Sequence, residues 1–147
     1  MKKIKYIPLL LVIAFMLFWG SSLIKCEVLT WRYGAQFPFP DKVSSMSGEL
    51  DYLKVLELTD TNALVYYVSG NHNIGDTVTF IHRGDNWEYE KWVTIWSKSG
   101  NADEVVFPYI HHSAAGIALL VVIGIPVMLI AVIALFIGSK RKINSES

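Results

Sequence analysis

The sequence contains one cysteine, no Asn-x-Ser/Thr glycosylation sequon and no internal repeat. A single thiol cannot close an internal disulfide, so any part of the chain outside the cytosol must be held by its core and its turns. Lys25 stands before Cys26 where lipoprotein signals carry a small residue, which argues against a lipid anchor there. Two readings of Cys26 stay open, an interfacial thiol without a role and a disulfide between two copies. Metal-binding patterns are also missing: His72, His82, His111 and His112 are not accompanied by C-x-x-C, H-E-x-x-H or a carboxylate-rich loop, so no metal or other cofactor is expected. Adjacent histidines in a strand point apart, so His111 and His112 would not chelate one ion together. No nucleophile elbow, phosphate-cradling glycine loop or paired-carboxylate motif sets a reactive group, and an enzyme is not expected. Asp60, Asp76 and Asp85 are read as turn residues whose carboxylates bond nearby backbone.

Long uncharged runs, by contrast, are abundant for a chain of 147 residues with 52% hydrophobic content. Residues 114–137 contain no charge, and at about 1.5 Å per residue they exceed the roughly 30 Å hydrocarbon core of a bilayer. This predicts a transmembrane helix, with a bend near Val122 to Pro126 because proline removes a backbone donor. Residues 6–24 form a second apolar run, read as a retained transmembrane helix, with a cleaved signal ending near Gly20-Ser21-Ser22 as the alternative. Lys2, Lys3 and Lys5 precede the first run, and Lys140, Arg141 and Lys142 follow the second. Residues 1–5 and 138–147 are therefore expected in the cytoplasm, with the middle outside, in a bacterial inner or plasma membrane. Neither apolar span holds an ionisable residue of the kind that marks an ion path. Between Lys25 and Ser113 there are 7 basic and 12 acidic side chains, a net of −5. An acidic surface is a poor partner for phosphate, so nucleic acid is not expected.

Residues 25–47 carry GAQFPFP and DKVSSMS and read as a connector or covering loop. Residues 48–112 read as five short strands, ELDYLKVLEL, ALVYYVS, GDTVTFIHR, WEYEKWVTIWS and EVVFPYI, separated by turn-rich TDTN, GNHN, GDN and KSGNAD. The expectation is two transmembrane α-helices flanking a small, mainly antiparallel β-domain, barrel- or sandwich-like. Glu49 to Leu58 also admits a helical turn or two. The helix, β-domain, helix order and the segment NIGDTVTF resemble small uncharacterised bacterial two-helix membrane proteins with an extracytoplasmic β-barrel. That resemblance implies a fold and an envelope location and no activity. Within the motif, Gly75 is read as a permissive backbone position and Val78 and Phe80 as core residues.

Trp87, Trp92 and Trp96 lie within ten residues. Strand alternation assigns Trp87, Tyr89, Val93 and Ile95 to a core face and Trp92 with Trp96 to the other. Trp92 and Trp96 can then form a second packing layer, a stacking platform or a membrane-interface anchor. Two function classes follow. One is a membrane-anchored interaction module that binds or positions another envelope protein or a second copy of itself. The other is a domain that binds a saccharide or small molecule through Trp92, Trp96, Tyr66 and Tyr67. In both the lipid bilayer is a partner.

Overall fold

The computed structural model describes residues 7–130 and 132–133. Helix α1, Ile7–Tyr33, is 27 residues long and so about 40 Å, longer than the apolar run that starts it. The polar residues Lys25 and Glu27 end the run without breaking the helix, because neither removes a backbone donor as proline does. Residues 25–33, expected in the connector, are therefore helical. Among the described residues α1 is the one helix long and apolar enough to cross a membrane.

A 3-10 turn, Gly34–Gln36, and the segment ending at Pro40 lead into α2, Asp41–Ser47. Four strands follow: β1 Leu50–Leu58, β2 Asn62–Ser69, β3 Ile74–Arg83 and β4 Asn86–Ser97. They form one antiparallel sheet in the order β1-β2-β3-β4. The turn signals fell where strands end, and Glu49 to Leu58 resolves as strand rather than helix. Between β2 and β3, Gly70, Asn71 and His72 all take positive φ, a conformation open to glycine and more accessible to Asn and His than to β-branched residues.

The sheet is open, not a barrel, and it has four strands, not five. Residues 104–110 do not form the expected last strand: Asp103 makes an isolated bridge to Trp96, and the Glu104 N–H bonds the Ile95 carbonyl. Beyond that point Pro108 has no N–H to offer a ladder, and the chain turns across the sheet face instead. The β1 edge is closed by α1. Thr30 Oγ1 accepts from the Val55 N–H at 2.8 Å, and the Cys26 thiol points at the Leu56 carbonyl at 3.7 Å. A helix thus takes the place a closing strand would occupy, protecting an otherwise unpaired edge.

Each face of the sheet carries its own core. On the first, Val55, Ala63, Val65, Tyr67, Val78 and Phe80 pack beneath Phe37 and Val43 from the segment before β1. On the second, Tyr66, Val68 and Trp96 pack with Cys26, Val106 and Tyr109. Val78 and Phe80 share the first core, as their alternation requires.

After a 3-10 turn, Ile110–His112, helix α3 begins at Ala114. Ser113 caps it by accepting from the Gly116 N–H at 3.0 Å. The helix passes through a π-wound turn at Leu120–Gly124, directly before Pro126, and is described as an apolar helix over Ala114–Ile130. A mid-helix π turn next to proline is a usual way to absorb the missing donor. The expected spanning helix over 114–137 is not supported by this described stretch, which at 1.5 Å per residue reaches about 25 Å against a core of roughly 30 Å. Residues 1–6 and 134–147, including the expected cytoplasmic ends, lie outside the described residues.

Candidate functional site

Strand β4 departs from simple alternation twice. Its pairing with β3 skips Glu90 and again Ile95, so each is an extra residue opposite a single partner residue. The first bulge keeps Trp92 on the face of Trp87 and Tyr89, and all three pack against the first core. The second turns Trp96 to the opposite face, into the second core. The parity assignment of Trp92 with Trp96 is therefore corrected: Trp92 sits with Trp87.

Trp96 is only 6% exposed because Gly75 lies directly opposite it in the ladder. A Cβ on Gly75 would fall 2.1 Å from the Trp96 Nε1, so the absent side chain is the seat of the indole. Spatial need, not a positive φ, explains this glycine. From that seat Trp96 Nε1 donates to the Tyr66 hydroxyl at 2.7 Å. The Tyr66 hydroxyl lies 2.9 Å from His112 Nδ1, and the Tyr52 hydroxyl lies 3.5 Å from the same nitrogen. The Tyr66 and Tyr109 rings stack at 5.9 Å, with the His112 ring 5.4 Å from Tyr109.

This aromatic and imidazole cluster reaches α1 through Tyr109, whose hydroxyl donates to Glu27 Oε1 at 3.0 Å. The other Glu27 oxygen pairs with Lys54 Nζ at 2.6 Å. Trp19 Nε1, lower on α1, donates to the Pro108 carbonyl at 2.7 Å. The same segment also sets the start of α3, because both Asp103 carboxylate oxygens accept from the Ala115 N–H at 3.1 Å. Gly116 lets the first turn of α3 close onto the Ile110 carbonyl, which leaves no room for a Cβ.

Beside the cluster is an open cleft of about 610 Å³, lined by Tyr52, His72, Trp96, Lys98, Asp103 and His112 among others. His111 and His112 occupy a 3-10 turn, not a strand, and their rings meet edge-on at 4.3 Å. Burial, with His111, His72 and Lys54 adding to it, lowers the His112 imidazole to about 4. Burial also raises the Tyr66 and Tyr109 hydroxyls. Near neutrality these groups are uncharged hydrogen-bonding partners, better suited to holding segments together than to exchanging protons. The hydrogen bond to Lys54 leads in lowering the Glu27 carboxyl, which stays ionised. Among the described residues no three His, Cys, Asp or Glu side chains converge as metal ligands.

Of the four proposed binding residues, Trp96 and Tyr66 are brought together on the second face, and Tyr67 and Trp92 lie on the first. Tyr66 and Tyr67 are fully buried on opposite faces, and the Tyr67 hydroxyl donates to the Phe37 carbonyl at 3.0 Å. Trp92 is half-buried against the first core, while Trp96 presents one edge to the cleft. Tyr52, His72 and Asp103 also line the cleft, and no motif in the sequence marks them as binding residues. Asp76 is not a turn residue. It is buried in β3, where Ser47 Oγ donates to it at 2.6 Å and Thr94 Oγ1 at 2.7 Å, pinning the end of α2 to the sheet. Cys26 is buried, with its thiol turned towards the Leu56 carbonyl of β1.

No family model, curated protein or solved structure matches the chain.

Proposed function

We propose that the chain is a membrane-anchored, extracytoplasmic interaction module without catalysis, whose sheet binds or positions another envelope protein. The observation that carries this reading is the continuity of α1. One uninterrupted helix runs from the apolar span to the sheet edge and is tied there by Thr30 to Val55 and by Glu27 to Lys54 and Tyr109. Such a joint fixes the height and tilt of the sheet over a bilayer, which a flexible linker would not do. Burial of Tyr66 and Tyr67 further favours interaction over a stacking platform. The surface left for a partner is the outer half of the sheet, where Val93 is exposed among Glu88, Glu90 and Lys91.

Photocrosslinking from Val93 in intact membranes tests the reading, with Met46, exposed on α2, as the control position. A discrete protein adduct from Val93 and none from Met46 is expected. Equal adducts from both positions, or protease sensitivity of the sheet only after the membrane is opened, would overturn it. The cleft favours a second reading, a small polar ligand held by Tyr52, Trp96, Lys98 and Asp103. A small molecule retained by the purified full chain in native mass spectrometry, and lost with Lys98→Ala, would move the assignment there.

A further inference from the structure

Helix α1 uses one side for its own sheet. Trp19, Leu23, Cys26, Thr30 and Tyr33 point inward, towards Pro108, β1 or the two cores. At about 100° per residue, the side diametrically opposite carries a second pattern. Leu10, Leu17, Ile24 and Trp31 recur every seven residues, and each is more than half exposed. Ala14, Ser21 and Val28 follow four positions after the first three, and they are exposed as well. This 4-3 alternation is the seam of a left-handed helix pair, with small or β-branched residues at one level and larger ones at the next.

Lipid can cover the lower part of the seam, but Val28 and Trp31 continue it beyond Lys25, where the neighbouring exposed residues are charged. Trp31, at 83% exposure, is the most exposed large hydrophobic residue described. We infer that this face of α1 binds the same face of a second copy of the chain, in parallel, about a twofold axis along the membrane normal. Charge complementarity supports that occupant. With Val28 and Trp31 as the two seam positions of a heptad, Glu27 takes the preceding flank and Arg32 the following one, five residues on. In a parallel pair these flanks meet between helices, so the half-exposed Glu27 carboxylate, which already bonds Lys54 and Tyr109 of its own chain, faces Arg32 of the other copy as a third partner, twice by symmetry. Because the sheets lie on the far sides of the two helices, they do not obstruct the pairing.

The inference rests on the reading of α1 as a membrane anchor, and the experiment separates the two. The full chain is expressed in membranes with single cysteines introduced by Leu17→Cys, Ile24→Cys or Val28→Cys on the seam, and by Leu11→Cys or Met16→Cys off it. Cys26, being buried, serves as the internal background. Oxidation should give disulfide dimers at the seam positions at least about fivefold above the off-seam positions, and Arg32→Glu should lower the Ile24→Cys yield about threefold while Arg32→Lys leaves it unchanged. Release of the chain by an alkaline wash would overturn the anchor reading and the inference with it. Retention in the membrane with equal yields at all positions would overturn the pairing alone. Retention without seam dimers, together with quenching by brominated lipid that falls in Trp31→Phe to the level left by Trp19, would assign the upper seam to the lipid interface instead.

Discussion

The two faces of the sheet are built differently. The first is closed mainly by Phe37 and Val43 from the segment before β1, and its polar contacts, Asp76 with Ser47 and Thr94 and the Tyr67 hydroxyl with the Phe37 carbonyl, stay between that segment and the sheet. The second is closed by α1 and by residues that follow β4, and it carries two hydrogen-bonded sets, Trp96 with Tyr66 and His112, and Tyr109 with Glu27, joined by the stacked Tyr66 and Tyr109 rings. Apolar burial is non-directional and stabilises a fold without fixing one orientation, whereas hydrogen bonds between long-range partners do fix it. The first face therefore holds the segment before β1 to the sheet, and the second carries the joint between the sheet and α1.

The largest test of that division uses the tryptophans. Trp96 is enclosed and bonded, while Trp87 is half-buried, rests on Phe37 at 5.3 Å and donates to Gln36 at the surface. Trp96→Ala should cost about 3–5 kcal/mol, the range for removing an enclosed aromatic, and Trp87→Ala about 1–3. Thermal melting of the full chain in detergent checks the order. Simple strand alternation gives the opposite order, and a larger loss at Trp87 would mean that the bulges at Glu90 and Ile95 do not set the register.

That reversal shows where sequence reasoning stops. The four strands and their turns were legible because TDTN, GNHN and GDN interrupt runs of β-branched and aromatic residues. The bulges were not, because an extra residue beside Lys91 or Thr94 leaves no mark in the hydrophobic pattern, yet each one reverses the side chains beyond it. The run of α1 to Tyr33 was hidden by Lys25 and Glu27, which end an apolar stretch but not a helix. Residues 104–110 had strand-like composition, and Pro108 was the one signal against it. Of the candidate site, Trp96 and Tyr66 were named, but their hydrogen bond depends on Gly75, whose role is defined only by what lies across the ladder.

Gly75→Ala gives the next largest effect and touches the second face alone. The added methyl would displace the Trp96 indole and its bond to Tyr66, at a cost of about 1–3 kcal/mol. A red-shifted tryptophan emission should accompany the loss, with the first-face packing of Phe37 and Phe80 kept. Unchanged emission would show that Trp96 is not held by this glycine.

His112 sharpens the contrast further, since the first core contains no titratable imidazole. Its folded value of about 4 lies below the 6.5 of the free side chain, so between those values the unfolded chain binds more protons. Stability from this group is present above pH 6.5 and is lost as pH falls through about 4. Discounted for partial solvent screening, the loss is on the order of 1–2 kcal/mol. Melting temperature against pH should flatten over that window in His112→Gln. An identical slope in both proteins would assign the acid sensitivity elsewhere.

The smallest effect belongs to the joint itself. Glu27 is half-exposed, so its pair with Lys54 is screened by water, and Glu27→Gln should cost no more than about 1 kcal/mol. The amide oxygen still accepts from Tyr109, which keeps α1 tied to the segment after β4. Sign and salt dependence distinguish this from a packing effect: added salt should shrink the difference between Glu27→Gln and the parent chain, while leaving the Trp96→Ala deficit in place. A loss as large as that of Trp96→Ala would mean that the second face depends on one charge pair. A small, salt-sensitive loss means that its rigidity is shared among Trp19, Thr30, Tyr109 and Trp96, so no single polar contact on α1 controls the position of the sheet.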